Sequence, residues 1–275
     1  MKTANFLNIK KLLGYSFLII VAISMLAPFL IMVGISFFSD ANSLTFAGQT
    51  FSLNNYKNVF TTLPLSKYFF NSLFVALITT IGQILFASMA GYAFARLKFR
   101  WKNLLFTIII ITMMIPPQVN IIPLFYLMRE LHLIDTYSAL ILPGIFGGFG
   151  VFLMRQQFLS LPKELEDSAK IDGCSVFQIF FKIAIPLALP AIMTLAIFTF
   201  VSSWNSFMWP LISTNSESMR TLPVALAVFK GSFRELTLWG ELLACSTICT
   251  IPVIIVFLIG RKYFINDLLQ GAIKE

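Results

Sequence analysis

The chain has 275 residues, of which 58% are hydrophobic and only 12% charged, where a soluble domain carries about 25% charged residues. Thirty phenylalanines and a mean hydropathy of +0.86 leave too little polar surface to coat a globule of this size. A soluble enzyme, a disordered scaffold and a nucleic-acid-binding domain are thereby disfavoured. The net charge of +8 informs through the placement of its basic residues, not through their sum.

Six charge-free intervals of 19 residues or more run from Lys11 to Asp40, Lys67 to Arg96, Lys102 to Arg129, Asp135 to Arg155, Lys182 to Glu217 and Glu241 to Arg261. A helix needs about 20 apolar residues to cross a hydrocarbon core of roughly 30 Å, so each interval holds one crossing. The expected spans are 12–38, 69–95, 104–128, 138–155, 187–208 and 240–260. The first follows Lys10 and Lys11, as a signal peptide would. Its apolar run is much longer than a signal core of about 7–15 residues, and no Ala-x-Ala-like site follows near Phe37 and Phe38. It reads as a retained helix.

Six spans place both termini on one side. That side collects Lys2, Lys10, Lys11, residues 96–103, the segment 155–182 and the C-terminus, with fourteen of the twenty Lys and Arg. Positive loops face the cytoplasm. The expected fold is therefore an all-α integral membrane protein, one domain over 1–275, with both termini cytoplasmic. The whole +8 excess falls on the inner face; the outer face is neutral. Outside lie a polar loop, Ser39–Ser66, and the stretch Pro210–Leu238, where Leu222–Phe229 is apolar but too short to cross.

Several chemistries lack their residues. The single histidine, His132, cannot build a zinc site without a Cys or carboxylate cluster; it reads as an interfacial loop side chain. No Gly-x-x-x-x-Gly-Lys-Ser/Thr phosphate loop occurs. Gly147-Gly148-Phe149-Gly150 sits inside the fourth span, where glycines let helices approach closely. Cys174, Cys245 and Cys249 give no disulfide framework and read as small packing residues. The chain is thus expected to hold no catalytic residues, no metal and no cofactor. Proton-coupled carriers and pumps display charges within their spans, but here the embedded polar groups are neutral: Gln83, Gln118, Asn120 and Asn205. The energy for active transport then comes from a partner. A membrane-embedded enzyme would need convergent ionisable residues, which the charge-free spans do not supply.

Between the fourth and fifth spans, the loop 156–182 holds Leu161-Pro162-Lys163-Glu164-Leu165-Glu166-Asp167-Ser168-Ala169-Lys170-Ile171-Asp172-Gly173. Proline suits a helix start, acids complement the positive helix end and Gly173 suits a left-handed cap. Leu161, Leu165 and Ala169, four apart, form a narrow apolar stripe. A lipid-binding helix has a basic polar face. This one is acidic, which favours a protein partner.

Asp167-Ser168-Ala169, Gly173 four positions after Ala169, and Ile183-Ala184-Ile185-Pro186 resemble the signature of ABC-importer permeases: Glu-Ala-Ala, three residues, Gly, nine residues, Ile-x-Leu-Pro. The spacing matches throughout, with conservative departures at Asp167, Ser168 and Ile185. Asn71-Ser72-Leu73, Gly91-Tyr92-Ala93-Phe94-Ala95-Arg96, Met114-Ile115-Pro116-Pro117, Trp204-Asn205 and Arg220-Thr221-Leu222-Pro223 extend the resemblance to the carbohydrate branch. Within that branch the match is to the second permease subunit of the maltose and glycerol-phosphate type.

The resemblance implies a type I importer fold in a bacterial inner membrane. It implies two cytoplasmic ATPase subunits that use ATP, a second and different permease chain, and an extracytoplasmic solute-binding protein. By the same resemblance Glu164, Leu165, Asp167, Ser168, Ala169, Asp172 and Gly173 form the ATPase-docking loop. The expected cargo is a sugar, polyol or phosphoester, with a polyamine as the alternative. The candidate translocation path comprises Gln83, Gln118, Asn120, Trp204 and Asn205: an indole stacks on sugar faces, and amides both donate and accept hydrogen bonds. Prolines 116, 117, 186 and 190 are candidate bends or pore-lining breaks.

Overall fold

A computed structural model of the chain describes residues 2–38, 50–232 and 239–272. Residues 39–49 of the expected outer loop, residues 233–238 and the terminal charges Lys274 and Glu275 lie outside the described residues. The chain divides into two compact units, Met1–Leu65 with Leu226–Thr250 and Ser66–Ala225 with Ile251–Glu275.

In the first unit, helix α1 (Lys2–Ser36) leads to α2 (Asn54–Thr62). Its span Leu13–Ser36 is almost wholly exposed, with Phe17, Leu18 and Ile19 uncovered; such a surface is stable against lipid and not against water. Only its last turn is covered. There Ser36 Oγ lies 2.8 Å from Tyr56 Oη, and Asn55 Nδ2 donates to the Ser36 and Phe38 carbonyls at 2.9 Å. Asn58 Nδ2 donates to Glu241 Oε1 at 2.8 Å, so a buried carboxylate in the first turn of α14 (Trp239–Ala272) has a partner.

The second unit is built on α3 (Leu65–Arg96), α4 (Lys102–Met113), α5 (Ile121–Glu130), α6 (Tyr137–Ile145) and α7 (Gly148–Ser160). It continues through α8 (Lys163–Ile171), α9 (Val176–Ile179), α10 (Ile185–Leu187), α11 (Leu189–Trp204) and α12 (Met208–Ser213). Helix α13 covers Leu222–Ser232.

Among the described residues, Leu13–Ser36, Leu65–Arg96, Tyr137–Ser160 and Trp239–Arg261 are each long and apolar enough to cross a membrane. Two more crossings arise if each bent helix pair is one span, giving up to six. Each coincides with an expected span, but the bends correct the expected shapes. The span 104–128 is not one straight helix: α4 ends at Met113, and Lys102–Met113 meets Pro117–Glu130 at 96°. Pro116 takes extended dihedrals (φ −57°, ψ 132°), because a residue before proline is pushed out of the helical region. A 3₁₀ turn, Pro117–Asn120, then starts α5.

The span 187–208 starts earlier and ends sooner than expected. Val176–Leu187 and Leu189–Trp204 meet at 76°, and residues 205–207 leave the helix. A π-helical turn, Phe180–Ala184, precedes the bend. Pro186 and Pro190 each lack the N–H that would bond the carbonyl four residues back. A rung of the ladder is therefore missing on either side of Ala188, which itself keeps its bonds to Ala184 O and from Ile192 N. Pro28 and Pro252 lie inside α1 and α14 without interrupting them. The fourth span breaks at Phe146-Gly147 and runs on to Ser160, beyond the expected 155. That leaves 161–175 as the connecting segment instead of 156–182.

Glycines set the close approach of α3 to the fourth span. A Cβ on Gly91 would sit 2.7 Å from the Met154 Cβ, one on Gly144 2.6 Å from the Thr79 Cγ2, and one on Gly150 3.0 Å from the Ala87 Cβ. A Cβ on Gly147 would collide with the Gln83 amide. Below this seam Tyr92, Phe158, Phe180, Ala184 and Leu195 join α3, α7, the π turn and α11 in one buried core.

Candidate functional site: a neutral cavity and a docking helix

Half of α3, the broken end of α4 and α11 border a half-open cavity of about 900 Å³. Gln83, Gln118, Asn120 and Asn205 all line it, so four of the five residues expected on a solute path are brought together. Gln83 is buried, and its Oε1 accepts from Thr199 Oγ1 at 3.0 Å. Gln118 and Asn120 are carried there by the 3₁₀ turn after Pro116, and Asn205 by the residues where α11 stops. Both breaks thus place polar groups on the cavity wall.

Trp204 does not reach the cavity. It is 2% exposed and packs against Phe69 and Phe200, at ring centroid distances of 5.5 and 5.9 Å. Five residues on, Trp209 lines the wall instead, with Nε1 donating to the Ala139 carbonyl at 2.8 Å. The wall also carries hydroxyls that sequence reasoning passed over: Ser72, Thr79, Thr112, Ser202, Ser203 and Ser206. On α11 the spacing 199, 202, 203 marks one helical face, a signal present in the sequence. The hydroxyls of Thr79 and Thr221 have no hydrogen-bond partner among the described residues. No charged side chain lines the cavity among the described residues.

The second site is α8. Gly173, at φ +80°, ends it as a left-handed cap: Cys174 N donates to Ala169 O at 2.9 Å and Gly173 N to Lys170 O at 3.0 Å. These two bonds satisfy carbonyls of the last turn, and only glycine adopts that φ without strain. Glu164, Leu165, Asp167, Ser168, Asp172 and Gly173 are exposed. Asp167 Oδ1 accepts from Lys170 Nζ at 2.8 Å. That hydrogen bond and the nearby lysine charge hold its carboxyl below the ordinary range. Ala169 departs from the expectation: it is 6% exposed and packs inward. The outward apolar groups are Leu165, Ile171 at the end of the helix, 87% exposed, and, past the cap, Phe177 at 69% exposure.

Glu166, which the sequence reading did not single out, also turns inward. Its Oε1 lies 2.8 Å from Arg96 Nε, off the line of that N–H, with both side chains at least nine-tenths buried. Arg96 Nη2 donates to the Leu161 carbonyl at 2.6 Å.

The profile of the family described as binding-protein-dependent transport system inner membrane component matches residues 83–269. The chain belongs to this family. It is 37% identical to the arabinooligosaccharides transport system permease protein AraQ of Halalkalibacterium halodurans, over 99% of both chains. It is 34% identical to the trehalose/maltose transport system permease protein MalG of Thermococcus litoralis, over 93% of this chain and 94% of that one. Its fold superimposes with a TM-score of 0.81 on a chain of a bacterial ABC transporter involved in the import of the acidic polysaccharide alginate. That match has 26% identity and covers 94% of this chain and 97% of the other. The chain is accordingly a multi-pass inner-membrane transporter subunit with the type I importer fold, and not an enzyme. ATP is used by a partner ATPase.

Several of the permease's sequence motifs meet in space. Asn71 Nδ2 donates to the Ser218 and Arg220 carbonyls at 2.9 Å, and Asn71 Oδ1 accepts from Tyr137 Oη at 2.6 Å. Ser72 Oγ accepts from Leu222 N at 2.8 Å, capping the first turn of α13. The Asn-Ser pair on α3 therefore holds the Arg-Thr-Leu-Pro segment in place. Asp135 Oδ1 secures the same loop by accepting from the amides of Asn215 and Ser216 and from Ser216 Oγ at 2.9–3.0 Å. Burial pushes that carboxyl up, but these bonds outweigh it and hold it below its ordinary value of 3.8.

Proposed function

We propose that this chain forms one half of the membrane pore of an ATP-driven, binding-protein-dependent importer whose cargo is a neutral carbohydrate. The observation that carries the cargo is the cavity wall: amides, hydroxyls and the Phe149, Phe207 and Trp209 rings, with no charge among them. Hydroxyls and amides match the mixed donors and acceptors of a sugar, and aromatic faces suit its apolar C–H surfaces. A polyamine or a phosphoester would need counter-charges within the wall. Relatives named for arabinooligosaccharides and for trehalose and maltose support the same cargo class.

In this reading the chain is a single permease domain over 1–275 with both termini cytoplasmic. A second permease chain completes the pore, a solute-binding protein delivers cargo outside and two ATPase subunits work inside. Glu164, Leu165, Asp167, Ser168, Asp172 and Gly173 present the docking surface, and the exposed Ile171 and Phe177 enlarge its apolar part. Gln83, Gln118, Asn120 and Asn205 contact the solute in the cavity. Bends at Ala188 and Pro116 let the helix segments tilt against each other, giving alternating access.

Tagged chain extracted in mild detergent should co-purify with an ATPase and a second membrane subunit. The reconstituted complex should take up a neutral oligosaccharide only with ATP and the binding protein present. Uptake by the chain alone would refute the assignment. With the native cysteines replaced by serine, Lys98→Cys and Lys170→Cys should resist an impermeant thiol reagent in intact cells while Thr50→Cys reacts. The reverse pattern would invert the topology.

A further inference from the structure

The connection between α8 and the rest of the chain poses a mechanical question. Through the backbone, α8 is attached only to α7 on one side and α9 on the other. Helix α3, which contributes Ser72, Thr79 and Gln83 to the cavity, has no such connection. Its last residue, Arg96, is nonetheless the one that reaches α8. The guanidinium contacts Glu166 at 2.8 Å and the Leu161 carbonyl at 2.6 Å, so one side chain grips both the entry to α8 and its first turns. Tyr92, one turn back on α3, brings its hydroxyl to 3.5 Å from Glu166 Oε2 and packs its ring on Phe158 and Phe180 at 5.4 and 5.1 Å.

A buried ion pair is a poor source of net stability, because desolvating both charges offsets their attraction; its best-attested use is to fix one arrangement against others. The exposed acids of α8 need no such anchor, and Asp167 is satisfied within its own helix. From Arg96 to Gln83 is thirteen residues of unbroken helix, about 20 Å at 1.5 Å per residue. A displacement of α8 that is passed to Arg96 therefore arrives at the cavity wall without crossing a bend. The glycine seam holds α3 against the fourth span over the same length.

We propose that the Arg96–Glu166 pair is the latch that makes α8 and α3 one moving body, and that it sets how much solute moves per ATP consumed. The pair acts by positioning: neither residue touches solute or lies on the docking surface. The proposal rests on α8 being the ATPase-docking element, and its test separates the two ideas.

The test uses the complete reconstituted transporter carrying Arg96→Gln, Glu166→Gln or both. Three quantities are read: ATPase retained on purification, ATP hydrolysed, and solute transported. Each single variant should retain its ATPase at wild-type stoichiometry and hydrolyse ATP, while solute moved per ATP falls on the order of tenfold. The double variant should be no worse than the worse single one, as two groups acting as one unit require. Losses that multiply in the double variant would overturn the latch, as would an unchanged transport ratio. Loss of the ATPase from the complex would make Glu166 a docking contact and also overturn it. If a single variant leaves a buried charge unpaired and fails to accumulate, the double variant, which has none, decides by its transport ratio. A wild-type chain that retains no ATPase would instead defeat the docking assignment, a separate and recognisable outcome.

Discussion

Helix α8, the proposed docking element, and the cavity are built on opposite electrostatic plans. Helix α8 is dense in charge: exposed acids, an Asp167–Lys170 pair on its surface and the buried Glu166 contact to Arg96. Among the described residues the cavity wall has none. At a protein-docking surface, charge remains solvated until the partner arrives and then discriminates against wrong partners. In a solute path, a fixed charge would be costly to hold in a low-dielectric wall and would retain ions. On the proposed function, the permease keeps the chemistry that recognises its motor apart from the chemistry that recognises its cargo. Helix α3 runs through both.

That separation can be broken at either end. The largest effect is expected from Gly173→Leu, which forces a side chain into φ +80° and disrupts the two cap bonds. Uptake should be abolished and ATPase co-purification lost, while the chain still inserts, as membrane fractionation would record. Next is the tryptophan pair. Trp204→Ala should cost about 3–5 kcal/mol of stability, as emptying an aromatic core site does, and lower the melting temperature of the detergent-solubilised complex. Trp209→Ala should chiefly reduce uptake. Equal effects on both properties in both variants would erase the distinction between core and wall.

A smaller, purely cavity effect is expected from Gln83→Leu. It removes the acceptor of the Thr199 hydroxyl, at about 1–3 kcal/mol for the group left unpaired. The KM for solute should rise severalfold with ATPase binding unchanged; weaker ATPase binding would show that the two regions are not separable. The least effect belongs to Asp135. Its carboxyl titrates below 3.8, so its contribution is complete above that value and is lost as pH falls through the lower folded value. The melting temperature should be flat from neutrality to about pH 5 and decline only below about pH 4 on this account. Asp135→Asn should flatten that decline at a slightly lower plateau.

Much of this plan could be read from the chain before its structure. Each of the six charge-free intervals falls on a helix, or a bent helix pair, among the described residues that is long and apolar enough to cross, as the cost of burying a charge in hydrocarbon leads one to expect. Gly173 could be placed as a cap because a helix end leaves carbonyls that glycine alone satisfies without strain. The bends were harder. Pro28 and Pro252 have the same local chemistry as Pro116 and Pro186, yet their helices continue. Adjacent prolines at 116 and 117, and paired ones at 186 and 190, remove two donors from one region, and that doubling separates the bends from the continuous helices. Trp204 and Trp209 could not be sorted, since one residue decides which indole faces a neighbour and the helix ends between them. Glu166 was passed over because its acidic neighbours suggested one solvated face. Its register three residues before the inward Ala169 was the signal.

The absence of charge in the wall has an electrical consequence. Moving one elementary charge against 100 mV is worth about 2.3 kcal/mol, so a carrier whose path holds fixed charge or ionic cargo feels the membrane voltage at every cycle. A neutral solute crossing this wall carries no gating charge with it. Uptake should therefore be indifferent to an ionophore that collapses the membrane potential as long as ATP is maintained, leaving the nucleotide supply as the only energetic throttle on import.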